Sequence, residues 1–401
     1  MTALIVSENY IAGGADKMTK ILAENLGFDN VYILVNHDND FKILLNPELP
    51  ENVTLLKYKI LTLAQIGAFV NRFKMYPLIY ITFKVLSIVM RYPYIVFTIF
   101  YLLLKIKQIN PDILLSNNGG YPGGEINRSA IIAGSFVRRI KMFHIVHNMP
   151  TKSPWLLRYF ENLYDSLLEK KAIFIVDSKA ISDRLLKMRN FKRKPYIVNP
   201  GVDCVNHVAE RILVKDKVMF LNIASLDDRK NQYFLLNGIL EASKAFPNKF
   251  KFTFIGSEGE SNYKNKLIKY VLDNNLTQYV EFIDFSNSID TYFKSHDIFV
   301  LTSKQEGFPL VNVMAMASKM PIISTRAGGT EDQVVSGKNG FLIEQNDLES
   351  LVSSIKLYIT NKDLIYTHGN KSFYYYKSKY TFDKMIEQYR EIFEINKFHK
   401  S

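Results

Sequence analysis

Short apolar runs recur along this chain, each closing on polar or turn residues and each followed by a stretch with helical spacing. In the first half the runs are 3–7, 30–35, 112–116, 142–147 and 173–177; after Pro200-Gly201 the alternation restarts with 218–224, 251–255, 280–283, 298–302 and 321–324. Runs that are apolar on both faces predict strands of a parallel sheet covered by helices, not half-solvated strands. The pattern therefore predicts an α/β chain of two doubly wound domains, 1–205 and 206–380, with 206–217 as the linker. A closing helix over 381–401 is predicted from the spacing of Phe382, Ile386, Tyr389, Ile392 and Phe393. In such sheets ligands bind beyond the carboxyl ends of the strands, here expected in a cleft between the domains.

Length and composition agree with that architecture. At 401 residues the chain exceeds one ordinary core, and 47% hydrophobic with 22% charged residues describes a folded protein. Cys204 stands alone, which excludes an internal disulfide and points to a reducing compartment. The opening residues lack a basic segment before an apolar one, so no secretory signal is evident and a cytoplasmic location is expected.

Charge adds a second feature. The net charge is +12, but residues 1–200 carry 26 Lys/Arg against 15 Asp/Glu, while the remainder carries 25 against 24. Between Glu51 and Asp112 there is no acidic residue; Lys57, Lys59, Arg72, Lys74, Lys84, Arg91, Lys105 and Lys107 alternate there with many aromatic side chains. Segment 52–111 suits contact with an anionic membrane surface, each near-surface cation contributing about 1 kcal/mol. Core helices with a solvated basic face fit the same pattern, and both readings stay open. Nucleic acid is not expected as a partner, since no recognition motif accompanies the charge. A membrane span is not expected either. Lys84 and Arg91-Tyr-Pro93 leave only 94–104 uninterrupted, shorter than the roughly 20 residues a crossing helix needs.

The chemistry-bearing motifs fall at strand ends. The stretch 306–329 opens with Glu306 before the turn Gly307-Phe308-Pro309-Leu310, continues into a short helix containing Met314, and closes through Pro321 on Gly328-Gly329. Free N–H groups at a helix start beside a carboxylate suit an anionic ligand. The loop 224–231 brings Ser225, Arg229 and Lys230 to a strand end, where cations meet phosphate. Gly13-Gly14 follow the first strand and precede a helix expected from Asp16; His147 closes another strand; Asn118 and Gly119 lie in the glycine-rich loop 117–124, which begins at Asn117 and is expected to face the cleft and shape the acceptor pocket; Gly256 follows the strand at 251–255. No metal-ligand spacing is evident among seven His and one Cys.

These motifs together resemble the retaining glycosyltransferases of GT-B architecture, family 4 (group 1), of the bacterial surface-polysaccharide type. The resemblance covers almost the whole chain, most strongly 218–345. It implies two Rossmann-like domains, a nucleotide diphosphate sugar as co-substrate, no cofactor, no metal, and a saccharide or lipid-linked saccharide acceptor at the inner face of the membrane. It leaves open whether the C-terminal helix returns to the first domain. Residue by residue, it implies that Lys230 neutralises the leaving diphosphate, that Glu306 positions the donor sugar, and that His147 orients the sugar. Gly256 and the turn 307–310 would approach the donor; Gly13, Gly14, Asn118 and Gly119 would approach phosphate or acceptor. Two positions depart from the family pattern. Ser225 stands where the family has arginine, with Arg229 nearby, and Met314 stands where it has a second glutamate. A catalytically silent GT-B module binding a glycan or partner enzyme is therefore the alternative, with an epimerase or phosphorylase as a third.

Overall fold

The computed structural model describes residues 1–8, 14–36, 49–203, 216–259, 262–284 and 289–395. Cys204, Gly13 and most of the expected linker lie outside them. The chain divides into two compact units, one of 1–177, 181–198 and 389–401, the other of 178–180 and 199–388.

The first unit is built on a seven-stranded parallel sheet: β1 (Thr2–Ser7), β2 (Asn30–Asn36), β3 (Val53–Tyr58), β4 (Ile113–Asn118), β5 (Lys141–Val146), β6 (Ile173–Val176) and β7 (Tyr196–Ile197). Their spatial order is β3-β2-β1-β4-β5-β6-β7. The order reverses between β1 and β4, where Ala3 pairs with Val31 on one side and Ile113 on the other. A doubly wound sheet opens its crevice at such a reversal. Side chains 3–6 of β1 are fully buried, as a strand with helices on both faces requires.

The second unit repeats the plan with six parallel strands: β8 (Val218–Ile223), β9 (Phe250–Ile255), β10 (Val280–Ile283), β11 (Ile298–Leu301), β12 (Ile322–Thr325) and β13 (Gly340–Ile343). Their order is β10-β9-β8-β11-β12-β13, reversing between β8 and β11. Its core is aromatic. Phe220 on β8 stacks on Phe252 of the neighbouring β9 at 4.4 Å, and both are fully buried. Truncating either to alanine would cost about 3–5 kcal/mol.

Three strands escape the pattern. β3 is an edge strand whose sequence, Val-Thr-Leu-Leu-Lys-Tyr, mixes exposed polar positions with apolar ones. β7 has two residues, and β13 is a four-residue strand entered through Gly340. The C-terminal helix Phe382–Ile395 begins in the second unit and ends in the first. There Phe393 meets Phe143 of β5 at 4.4 Å, and Arg390 donates to the Asn25 carbonyl at 2.6 Å.

The acid-free segment forms three helices, Leu63–Asn71, Pro77–Val89 and Arg91–Ile109. Here the sequence expectation needs correction. Arg91-Tyr-Pro93 does not break the last helix but occupies its first turn, where proline lacks only an N–H that has no helical partner. The resulting 19-residue helix has mean hydropathy 1.2 and is, by length and composition, able to cross a membrane. Its residues Ile95, Thr98, Leu102 and Ile106 are buried in its own unit, as in a helix that covers a sheet.

Candidate active site

In the second unit the loops after β8, β9, β11 and β12 converge at the carboxyl ends of the strands. Glu306, beyond β11, and Lys230, beyond β8, flank the point where the strand order reverses. The Lys230 ammonium donates to Glu306 Oε1 at 2.6 Å, and the two side chains are only 13% and 9% exposed. Arg229 NH1 stands 3.6 Å from Glu306 Oε2 and donates to the Gln305 carbonyl at 3.4 Å, and its side chain is half exposed.

The backbone fixes this pair from several sides. Asp227 caps the short turn Asp228–Lys230, accepting from Lys230 N at 3.0 Å. Ser225 Oγ donates to the other Asp227 oxygen at 2.6 Å, and Gln232 Nε2 donates to the Ser225 carbonyl at 2.9 Å. Asp227 therefore holds the loop, a role that was not expected of it from the sequence. Opposite, Glu306 N donates to the Ala327 carbonyl at 2.7 Å, and Gly329 N donates to the Glu306 carbonyl at 3.2 Å. The Glu306 N–H is thus committed to the neighbouring loop and does not point to a ligand. Two glycines make the approach possible. A Cβ on Gly256 would sit 1.9 Å from the Ala224 oxygen, and one on Gly329 would sit 1.9 Å from the Gly307 oxygen.

The helix Leu310–Ala317 starts at Pro309 without a side-chain cap. Asn312 donates to Gln333 Oε1 at 2.9 Å, and Gln333 Nε2 donates to the Pro309 carbonyl at 3.1 Å, a buried bridge that anchors the turn. Phe308 is buried and packs on Tyr380 at 5.7 Å. Leu310 is exposed, while Met314, one turn on, is half-buried against the apolar cluster beneath the helix.

In the first unit the corresponding reversal lies between β1 and β4. His147, one residue past β5, meets acceptors at both ring nitrogens: Asp177 Oδ2 lies 2.8 Å from Nδ1, and Asn117 Oδ1 lies 2.7 Å from Nε2. Asn117 Nδ2 in turn donates to the Ala15 carbonyl and to Thr19 Oγ1, each at 2.7 Å, which orients its oxygen toward the histidine. Asn117, read from the sequence as the start of the glycine-rich loop, lies in β4, and Asp177, one residue past β6, was not singled out as a site residue. Asn118 turns inward instead: its amide donates to the Pro122 carbonyl at 3.1 Å and its oxygen accepts from Gly124 N at 3.2 Å, bracing the loop from within. The Gly119 carbonyl accepts from Asn148 N at 2.6 Å. Gly14 is the first residue of helix Gly14–Asn25, which begins two residues earlier than expected.

A second polar cluster lies under the helix Arg158–Lys171. Glu161 accepts from Arg128 at 2.8 Å, from Arg189 at 2.9 Å and from Arg91 at 3.1 Å. Burial acts to raise the Glu161 carboxyl, but the surrounding guanidinium groups outweigh it and hold it at about 2. Asp165 pairs with Arg189 at 2.8 Å and accepts from the Tyr121 hydroxyl at 2.6 Å. Beside them His144 is fully buried against Tyr121 and Phe174, and burial, reinforced by Arg128, depresses it to about 3.

The chain is similar in part to known glycosyltransferases. Residues 206–372 match the family model described as glycosyl transferases group 1. An uncharacterized glycosyltransferase of Haemophilus influenzae is 33% identical over 174 residues, which span 43% of this chain and about half, 48%, of that relative. An Escherichia coli UDP-Gal:alpha-D-GlcNAc-diphosphoundecaprenol alpha-1,3-galactosyltransferase is 33% identical over 98 residues, covering 24% of this chain and 25% of that protein. Among solved structures, a Rickettsia africae glycosyltransferase aligns over 100% of this chain and 99% of its own with TM-score 0.78 and 17% identity. Anabaena HepE in complex with UDP aligns over 98% and 100% with TM-score 0.74 and 18% identity. The chain therefore has the two-sheet GT-B fold throughout, and its residues 206–372 carry the group 1 glycosyl transferase match.

Proposed function

We propose that this chain transfers a sugar from a nucleoside diphosphate sugar to a saccharide acceptor, with retention at the anomeric carbon. The observation that carries the reading is the Lys230–Glu306 pair at the strand reversal of the second unit, inside the segment that matches the family. When the bond from the anomeric carbon to the diphosphate oxygen breaks, charge builds on the departing oxygens. A cation already placed there lowers the barrier, because it needs no reorganisation at the moment of reaction. Lys230 supplies that charge and the half-exposed Arg229 adds a second. Glu306 fixes the Lys230 ammonium and accepts from a sugar hydroxyl. The acceptor oxygen forms the new bond on the face the diphosphate leaves, and its proton passes to the departing phosphate oxygen. No metal takes part in this scheme, since the cations are side chains. His147, held at both nitrogens, orients the sugar.

The acceptor is a saccharide, lipid-linked, used at the inner face of the cell membrane in surface polysaccharide assembly. The E. coli relative, whose name gives a diphosphoundecaprenol-linked acceptor, supports this choice, as does the basic first half of the chain.

One alternative has observations of its own. Ser225 is bonded to Asp227 and Met314 packs on the core, so both positions where the family binds donor are differently occupied. A silent module that binds a glycan or partner enzyme would show this. Incubation with a panel of nucleotide sugars separates the two: release of nucleoside diphosphate supports the transferase, and binding without release in the presence of membrane extract supports the silent module.

A further inference from the structure

The helix Arg158–Lys171 is inverted relative to an ordinary surface helix. Its buried residues include Glu161, Asp165 and Glu169, while Tyr159, Phe160, Leu163 and Leu167 are exposed. The ionic face is stable inside because Arg128 and Arg189 meet it, each buried and hydrogen-bonded to the carboxylates. That arrangement leaves an apolar stripe at helical spacing facing outward, extended at its start by Trp155, 81% exposed, and Leu156. Water does not favour such a face; a hydrocarbon boundary does.

The stripe joins a larger surface. Phe160 packs on Tyr92 at 4.9 Å, in the first turn of helix Arg91–Ile109. That helix exposes Val96, Phe97, Phe100 and Leu104, and helix Pro77–Val89 before it has no buried residue at all. Met75 and Leu78 are 87% and 83% exposed. The surrounding segment holds eight cations and no acid, which complements an anionic bilayer, while the contiguous exposed apolar surface suits hydrocarbon rather than an acidic, water-soluble partner.

Next to Trp155 lies a cavity of about 640 Å³, lined among others by Lys152, Ser153, Arg158, Asn162 and Lys187 and by no acidic side chain. Among the described residues these three cations have no ion-pair partner, and Ser153 Oγ is buried without a hydrogen bond. Three unpaired cations with an unused hydroxyl donor form the chemistry that holds a phosphate group.

We propose that the first unit seats on a bilayer through this apolar surface and takes the phosphate group of a membrane amphiphile into the Lys152–Arg158–Lys187 cavity. The proposal deepens the lipid-linked acceptor reading and rests on it. Vesicle binding, however, requires no sugar transfer, so either can fail without the other.

Flotation of the full chain tests it with three vesicle types: phosphatidylcholine alone, phosphatidylcholine with phosphatidic acid, and phosphatidylcholine with a fatty acid matched in charge. Wild type should bind the phosphatidic acid vesicles about tenfold or more tightly than the fatty acid ones. Arg158→Gln with Lys187→Gln should abolish that preference while leaving the residual binding common to all three. Leu78→Gln with Ile81→Gln and Val85→Gln, all at exposed positions, should lower binding to every vesicle at least tenfold, including at high salt. Equal binding to the two anionic vesicles, unchanged in the cavity variant, overturns the phosphate site. Binding of inorganic phosphate that is lost in the cavity variant, with no preference among the three vesicle types, assigns the site to free phosphate and overturns the lipid assignment. Failure to bind any vesicle, with self-association instead in sedimentation, assigns the apolar surface to a second copy and overturns the bilayer.

Discussion

The Lys230 ammonium and the Glu306 carboxylate meet at 2.6 Å, 76 residues apart in the chain and in the loops that follow the two strands between which the second sheet reverses. Lys230→Met and Glu306→Gln should each lower transfer about a hundredfold or more, on the order of 3 kcal/mol in barrier. Circular dichroism should show both variants folded, because the loop is also held by Asp227 and by the Gly256 approach. Turnover within a few fold of wild type in either variant would remove this pair from the chemistry.

Position 314 gives a gain-of-function prediction. Met314 lies half-buried one turn past the exposed Leu310, and a thioether is a weak acceptor. Met314→Glu should lower the donor KM about tenfold or more with kcat little changed, since a charge-assisted hydrogen bond to the donor adds about 1.5–3 kcal/mol. A large fall in kcat with the fold intact would show that the thioether packing itself shapes the site.

His144 predicts how stability depends on pH. In the unfolded chain its ring titrates near 6.5, whereas burial and Arg128 depress it to about 3 in the folded state. Above pH 6.5 both states are neutral and nothing is lost. As pH falls from 6.5 toward 3 the unfolded state takes up a proton that the folded state refuses, so stability declines by up to about 1.4 kcal/mol per pH unit. The Glu161 carboxyl adds a loss in the same direction from about 4.5 down to about 2. Urea denaturation across pH 7 to 5, above the Glu161 window, should show the His144 slope in wild type and a flatter one in His144→Phe. The same slope in both proteins would assign the loss to other groups.

Excess EDTA should leave transfer largely unchanged, because the leaving group is neutralised by Lys230 and Arg229. Activity abolished by chelation and restored by magnesium or manganese would contradict that scheme. It would turn attention to Asp38-Asn-Asp40, an Asp-x-Asp triplet outside the described residues.

Strand positions in the two sheets were legible because their central strands are buried on both faces and therefore apolar without interruption, as β1 and β11 are. β3 and β7, at the edges, do not carry that signature. Lys230 and Glu306 were singled out because the stretches around them, at strand ends, resemble the motifs of a known family. Their direct contact was not legible, since it depends on two loops brought together by parallel pairing. The roles of Asp227 and of Asn117 toward His147 were missed for the same reason: short polar residues at strand ends are ordinary loop chemistry until their partners are known. The inverted helix Arg158–Lys171 was also hidden. Its apolar periodicity reads equally well with either face inward, and only Arg128 and Arg189, distant in sequence, determine which face is buried.

The most direct measurement is nucleoside diphosphate release from a panel of nucleotide sugars, with and without membrane extract as acceptor source. The proposed function predicts slow release with one donor, stimulated by the extract, accompanied by sugar incorporation into an extractable lipid-linked product, and lost in Lys230→Met. Tight donor binding with no release in any combination, by a protein that remains folded, would contradict it and leave the chain as a binding module of the same fold.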